Sequence, residues 1–340
     1  MGISSGPLEP VRLGIVSTAG INRLVIPPAK ASALVDLVAV ASRDAKRAGD
    51  YAKEWEIERS FGSYDALLAD PDVEAVYISL PNHEHVPWTL RALEAGKHVL
   101  CEKPLTRHPA EVETIWGLAE SRDLVVCEAF MWRHNPQTKR FAELVAGGAI
   151  GELQFVRSLF SFAMNDPATN VRMRKEWEGG SLMDVGTYCV SGIRLLAGEP
   201  EAVYGERVSG GEGVDVRFSG LMRYSSGVRG LFYSSFESPS RKELEAIGSE
   251  GVLRLRDPWH AWRGGIELQR DEEEESERIE IETGDSYRLE LEDFARAIRG
   301  EKQPLLGRAD ALGQARALAA LYISAEEERP VDLSELDREV

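Results

Sequence analysis

At 340 residues, 43% of them hydrophobic, the chain has apolar content for one large or two ordinary domains. A formal net charge of −17 argues against nucleic acid or an anionic membrane as the main partner, while leaving room for a small anionic ligand held by a local basic cluster. The three cysteines, Cys101, Cys127 and Cys189, sit in apolar or helix-like stretches, so no disulfide framework is expected and a reducing cytoplasm fits.

No apolar run reaches the ~18 residues of a membrane span. The opening MGISSGPLEP lacks the basic-then-apolar order of a signal peptide. From Val11 to about Phe130, apolar runs alternate with helical segments. The runs are VRLGIVS, LVDLVAVAS, VEAVYISLP, HVLCEKP and LVVCEAF; between them fall DAKRAGDYAKEWE, SYDALLAD, HVPWTLRALEAG and PAEVETIWGLAESRD. Nearly continuous apolar strands predict a parallel sheet covered on both faces, a doubly wound βαβ unit over residues 1–130. Ligands of such units bind at the carboxyl ends of the strands, where STAGIN, SRD, PNHEH and EKP fall.

Residues 131–340 read differently. A helix, PQTKRFAELVAGG, leads into GELQFVRSLFSFAM and a second helix, SLMDVGTYCVSGIRLLAG. Alternating strands follow, from EAVYGERVSG through VDVRFSGLMRY, VRGLFYSSF, KELEAIGS, GVLRLR and IELQR to RIEIE, with hairpin-like spacing that predicts a large antiparallel sheet. The acidic run Asp271–Glu277 reads as a solvated hairpin tip. Two helices, YRLELEDFARAIRG and RADALGQARALAALYIS, close the chain.

The turn after the first strand sits where G-x-G-x-x-G dinucleotide turns sit, but Ser17, Ala19 and Asn22 occupy the glycine positions. Ser17 and Ala19 are small enough to let a ligand approach the backbone, and Gly20 stands between them; a bare strand–helix turn fits the same letters. The second strand ends in Ser42 and Arg43, 25 and 26 residues after Ser17, where an NAD site wants an acid for the ribose hydroxyl. An arginine there suits a 2′-phosphate and favours NADP over NAD; the alternative is a solvated flank of the next helix.

Three side chains carry candidate chemistry. Lys103 of CEKP ends an apolar strand at the mouth of the cleft, where a lysine either donates to a substrate oxygen or stands in water. Asp184 and Tyr188 are four apart and interrupt an apolar helix, so they share a face, as a catalytic pair or as a buried Asp–Tyr hydrogen bond. A cation beside the phenol, with Lys103 the candidate, would lower its pKa from about 10 and fit it for proton transfer. His83 and His85 of PNHEH form an H-x-H pair, but no Cys, His or acid cluster of metal spacing accompanies them, so no metal is expected. Neither G-x-S-x-G nor a P-loop is present.

Taken in order, GIVSTAGINR, PNHEH, EKP and GGSLMDVGTY resemble the Gfo/Idh/MocA oxidoreductase superfamily over nearly the whole chain. EAFMWRHNPQ and NVR before the glycine pair are similar to the branch of dimeric dihydrodiol dehydrogenase, NADP-dependent D-xylose dehydrogenase and glucose–fructose oxidoreductase. The resemblance implies a Rossmann domain followed by an α+β domain with a large, open, mostly antiparallel sheet that forms a homodimer or homotetramer interface. It implies catalytic roles for Lys103, Asp184 and Tyr188, the last replacing a histidine common elsewhere in the family. It places Ser17, Thr18, Ala19, Gly20, Ile21, Asn22, Ser42, Arg43, Leu80, Pro81, Asn82, His85, Glu102, Lys103 and Arg172 beside NADP. The implied reaction is hydride transfer between the nicotinamide and a carbinol or carbonyl carbon of a sugar, polyol or cyclic diol, with NDPATNVRMRKEW selecting among them. Two rivals are an oxidoreductase that recycles a tightly bound cofactor and an NADP-sensing regulator without catalysis; the retention of Lys103, Asp184 and Tyr188 argues against the second.

Overall fold

The computed structural model describes residues 8–262, 264–270, 276–282 and 284–338. Strands β1 (Val11–Val16), β2 (Val35–Ala41), β3 (Arg59–Phe61), β4 (Ala75–Ile78), β5 (His98–Glu102) and β6 (Val126–Ala129) form one parallel sheet in the order β3-β2-β1-β4-β5-β6. The central strands are apolar on both faces because both faces are covered; every residue of β4 is buried. β3 was not legible in the sequence. It has three residues and lies at the sheet edge, where one-sided pairing demands no apolar run.

Helices α1 (Asn22–Ala31), α2 (Ala45–Trp55), α3 (Tyr64–Leu68), α4 (Asn82–Glu94) and α5 (Pro109–Ser121) connect these strands. Local chemistry sets their starts: the Asp44 carboxylate accepts from the Arg47 N–H, the Ser63 hydroxyl from the Ala66 N–H, and Pro109 opens α5. The order of connection reverses between β1 and β4, which opens a crevice at the carboxyl ends of those strands.

After α6 (Pro136–Ala146) the chain builds a nine-stranded sheet from β7 (Leu153–Ser161), β8 (Ala202–Ser209), β9 (Asp215–Arg223), β10 (Arg229–Ser235), β11 (Arg241–Gly248), β12 (Val252–Leu255), β13 (Ile266–Gln269), β14 (Glu277–Ile279) and β15 (Val331–Asp332). Its order is β14-β13-β12-β11-β7-β10-β9-β8-β15, antiparallel throughout except for β7 against β10. β9 alternates buried and exposed residues, one face on the core and one outward. β13 and β14 pair antiparallel, while Asp271–Glu275 of the acidic run lie outside the described residues.

Helix α7 (Thr187–Ala197) lies on the inner face of this sheet. The helix expected from Ser181 does not begin as an α-helix: Leu182–Gly186 form a π-helical turn. An apolar pattern does not distinguish i+4 from i+5 bonding, and the wide turn follows from its anchoring. Gly180 adopts φ +123°, and a Cβ there would lie 2.2 Å from the Asp215 carboxylate, which accepts from the Ser181 hydroxyl and the Leu182 N–H. The last helices, α8 (Ser286–Ile298) and α9 (Arg308–Glu327), return to the first sheet. Leu291, Phe294 and Ala295 of α8 join the core around β1, and Ala311 and Ala315 of α9 join the core beside α5. Leu318 and Leu321 of α9 reach the core of the nine-stranded sheet, so one helix buttresses both units. Cys101, Cys127 and Cys189 are free and buried.

Candidate active site

The crevice begins at the turn between β1 and α1. Ser17 has φ +122°, a backbone region that favours glycine, so it does the work of the first fingerprint glycine. Its side chain offsets the strain: Oγ accepts from the Ala19 N–H at 3.1 Å and approaches Ser79 Oγ on β4's end at 2.8 Å. Asn22, fully buried, donates its amide to the Ser17 carbonyl at 3.0 Å. The glycines are thus replaced by a hydrogen-bonded turn. A Cβ at Gly20 would meet nothing within 4 Å, so space is open in front of the N-terminus of α1. Ala19, Gly20 and Ile21 line a cavity of about 580 Å³; Thr18 does not, and its carbonyl accepts from Arg47.

Ser42 is buried at the end of β2, and Arg43 beside it is exposed. Arg43 lines a second cavity of about 480 Å³ with Ser63, Tyr64, His83 and Trp177. The acids of that wall are engaged elsewhere, Asp65 with Arg91 and Glu84 with the Trp88 indole. Leu80, Pro81 and Trp177 line both cavities and join them into one cleft. His85 lines the first cavity, but its two ring nitrogens lie 2.8 Å from the carbonyls of Leu80 and Pro104. It ties the ends of β4 and β5 together, and burial pushes its pKa down.

Lys103, at the end of β5, reaches into the second unit. Its Nζ donates to the Asp184 carbonyl at 2.7 Å and to Asp184 Oδ1 at 3.1 Å. Arg172 donates from Nε to the other carboxylate oxygen at 2.6 Å. Burial opposes ionisation of Asp184, but the two cations outweigh it and hold its carboxyl below the usual range. Glu102 lies behind, accepting from the Tyr77 hydroxyl, with its pKa raised by burial despite Lys103.

Tyr188 shares the cavity with Asp184 without bonding to it. Its hydroxyl donates to Met131 Sδ at 3.7 Å, a weak acceptor, and the Lys103 ammonium lies over its ring, 4.7 Å from the centroid. This corrects the expected lysine–phenolate pair. Burial, reinforced by Tyr287, Glu102 and Asp184, pushes the phenol well above its ordinary pKa, so it stays protonated.

Other walls were not foreseen. Met131, Phe160, Phe162 and Tyr287 line the cavity with His260. Phe160 near the end of β7 and Phe162 just beyond it keep the two-residue spacing of core residues, so nothing local marks them; the aromatic loop PWHAW around His260 was a legible signal. Trp177, the last residue of the stretch expected to select substrate, and Glu178 just after it belong to a strap from the second unit. Trp177 stacks on His83, the Glu178 carbonyl accepts from Asn82 at 2.8 Å, and the Glu178 carboxylate meets Arg107 and His108. The two histidines of PNHEH are therefore split between different tasks, and no group of three His, Cys, Asp or Glu suited to a metal occurs among the described residues.

A dinucleotide-type crevice opening onto a Lys–Asp–Arg cluster beside a buried tyrosine defines a nicotinamide-dependent oxidoreductase. Residues 11–130 match the family described as an oxidoreductase family with an NAD-binding Rossmann fold, and residues 138–254 match the GFO/IDH/MocA C-terminal domain. The chain belongs to the Gfo/Idh/MocA oxidoreductase family. It is 38% identical over 322 residues to D-xylose 1-dehydrogenase (NADP(+)) 2 of Haloferax volcanii, covering 94% of this chain and 99% of that protein. It is 35% identical over 226 residues to the trans-1,2-dihydrobenzene-1,2-diol dehydrogenase of Bos taurus, covering 65% of this chain and 66% of that one. The crystal structure of a 3-ketoreductase from Actinomadura kijaniata with NADP and TDP-benzene is similar at a TM-score of 0.87 and 29% identity, over 93% of this chain and 98% of that one.

Proposed function

We propose that the protein interconverts a carbinol and a carbonyl of a sugar or related polyol with NADP as hydride partner. The observation that carries this reading is that Lys103, Asp184 and Tyr188 meet in one cavity that is continuous with the Ser17–Asn22 turn. The open space at Gly20 and the N-terminus of α1 fit a pyrophosphate, and Arg43 fits a 2′-phosphate. When bound there, NADP supplies the hydride acceptor or donor at the nicotinamide.

The protein's own groups move the proton and hold the substrate. Tyr188 exchanges its weak Met131 partner for the oxygen on the reacting carbon. Its raised pKa keeps the phenol protonated, which suits proton donation during carbonyl reduction; alcohol oxidation needs the phenolate. Lys103 donates to a substrate hydroxyl from its seat on Asp184, and Asp184, fixed from two sides by Lys103 and Arg172, accepts from a neighbouring hydroxyl. Paired donors and acceptors of this kind suit vicinal oxygens. A homodimer or homotetramer through the uncovered face of the nine-stranded sheet, where Leu221 and Leu231 are 39% and 41% exposed, and a cytoplasmic location complete the reading. No helix of the described residues is long and apolar enough to cross a membrane.

The test is NADPH absorbance after adding NADP and a panel of aldoses, polyols and cyclic diols, with the corresponding ketones and NADPH in the reverse direction. The expected result is turnover of at least one polyhydroxylated compound. Absence of turnover in both directions, with cofactor shown to bind, would overturn the reading.

A further inference from the structure

We propose that His260 is a specificity-determining residue, a neutral hydrogen-bond donor that reads one substrate oxygen beyond the reacting carbinol. The proposal rests on the reading of the cavity as a sugar site and deepens it. His260 stands in the loop between β12 and β13, and its side chain lines the same cavity as Lys103 and Tyr188.

The loop is built to hold this ring. The Asp257 carboxylate accepts from the Trp262 N–H at 3.0 Å, its carbonyl accepts from the Ala261 N–H at 3.1 Å, and Ala261 turns the chain at φ +55°. The imidazole lies 4.5 Å from the Trp262 ring and meets Phe160 edge-on at 6.1 Å. Lys242 of β11 approaches Nδ1 at 3.0 Å and is itself 3.7 Å from Asp257.

A lysine ammonium has three donors and no acceptor, so Nδ1 must accept from it. A neutral imidazole that accepts at Nδ1 carries its proton on Nε2. A second proton is disfavoured: burial comes first, then the positive charges of Lys242 and Lys103, with Asp257 opposing; the ring's pKa is pushed down to about 4. With Nδ1 taken by Lys242 and the ring flanked by Phe160 and Trp262, Nε2 is the atom left for the cavity. Among the described residues it has no protein partner.

A donor-only atom on a ring between Phe160 and Trp262, in a cavity that Phe162 and Tyr287 also line, has a chemical preference. It is satisfied by a hydroxyl, ring or carbonyl oxygen and left unpaired by hydrocarbon. A site built to bond an oxygen rejects the analogue lacking it, because a desolvated polar group is then orphaned. Aldoses and polyols carry such an oxygen beyond the reacting diol; a cyclic hydrocarbon diol does not. His260 therefore selects the former.

The experiment compares wild type with His260→Phe and His260→Gln on the best polyol and its monodeoxy analogues, with NADP affinity measured in parallel. His260→Phe is expected to lower kcat/KM for the parent by about 5- to 100-fold, with NADP affinity unchanged. That deficit should vanish for one monodeoxy analogue, and His260→Gln, which keeps an N–H donor, should regain part of it. An equal deficit on every analogue would overturn the proposal. Nitrogen NMR of the free wild-type enzyme at about pH 6 should find His260 neutral and protonated on Nε2. A proton on Nδ1, or an imidazolium, would overturn it independently. If the wild type turns over nothing in the panel, the reading of the cavity fails first, and the NMR result still decides the state of the imidazole.

Discussion

Tyr188 lies under a lysine ammonium and beside buried acids, and burial governs which proton state it holds. Its folded pKa is raised, so the phenol is neutral at physiological pH and the phenolate fraction grows only as pH climbs past the ordinary value of about 10. Alcohol oxidation is therefore expected to rise with pH without a plateau below about pH 9, and carbonyl reduction to be supported at neutrality. Tyr188→Phe is expected to lower turnover by roughly 10²- to 10⁴-fold with NADP affinity unchanged; a loss confined to KM would make Tyr188 a positioning group. At the other end of the cleft, Arg43→Asp exchanges a phosphate partner for a repulsion. NADP affinity should fall by at least about 10-fold while NAD affinity holds, and equal losses in a binding titration would remove Arg43 from the 2′-phosphate.

The polar residues of this site were legible for a physical reason. Lys103 and Asp184 are charges in apolar contexts that must find a partner once buried, and the more exposed Arg172 gives Asp184 its second one. Phe160, Phe162 and Met131 were not, because an apolar side chain facing a cavity has the same sequence signature as one facing the core. The lysine's place over the ring rather than at the hydroxyl was also hidden, since it depends on how β5 meets the π-helical turn across the two units.

Among the elements, the strap ending at Glu178 ties the second unit to the first over the cleft. Glu178 is held below its usual pKa first by His108, and His108 is raised first by Glu178. A raised histidine contributes its stabilisation fully below its unfolded pKa of about 6.5 and loses it as pH rises through the higher folded value. The clamp is thus tightest in mildly acidic solution, where Glu178 is ionised and His108 protonated, and loosens as the medium turns alkaline. Glu178→Gln should speed NADP release in a stopped-flow displacement experiment, and by a larger factor at about pH 6 than at about pH 8.5. The same factor at both would assign the effect to the loss of the Arg107 pair alone. The parallel strands were readable because double burial forces continuous apolar runs. β3 and the π turn were not, since an edge pairing and one extra residue per turn leave the hydrophobic pattern unchanged.

At the scale of the whole molecule, α8 and α9 return from the second unit to cover the first sheet, so the two sheets are locked around the cleft between them. Among the described residues no helix covers the outward face of the larger sheet. Leu231→Asp, on that face, should convert an oligomer to monomers in sedimentation experiments; an unchanged mass would move the interface elsewhere. The measurement closest to the heart of the mechanism is a single turnover with NADP and an aldose deuterated at the oxidised carbon, followed by mass analysis of the NADPH formed. Transfer of the label by the wild type is expected, with transfer slowed by at least about 100-fold in Tyr188→Phe although that variant still binds both ligands. Unlabelled NADPH, or label transfer at the wild-type rate in Tyr188→Phe, would contradict the proposed role of this cavity.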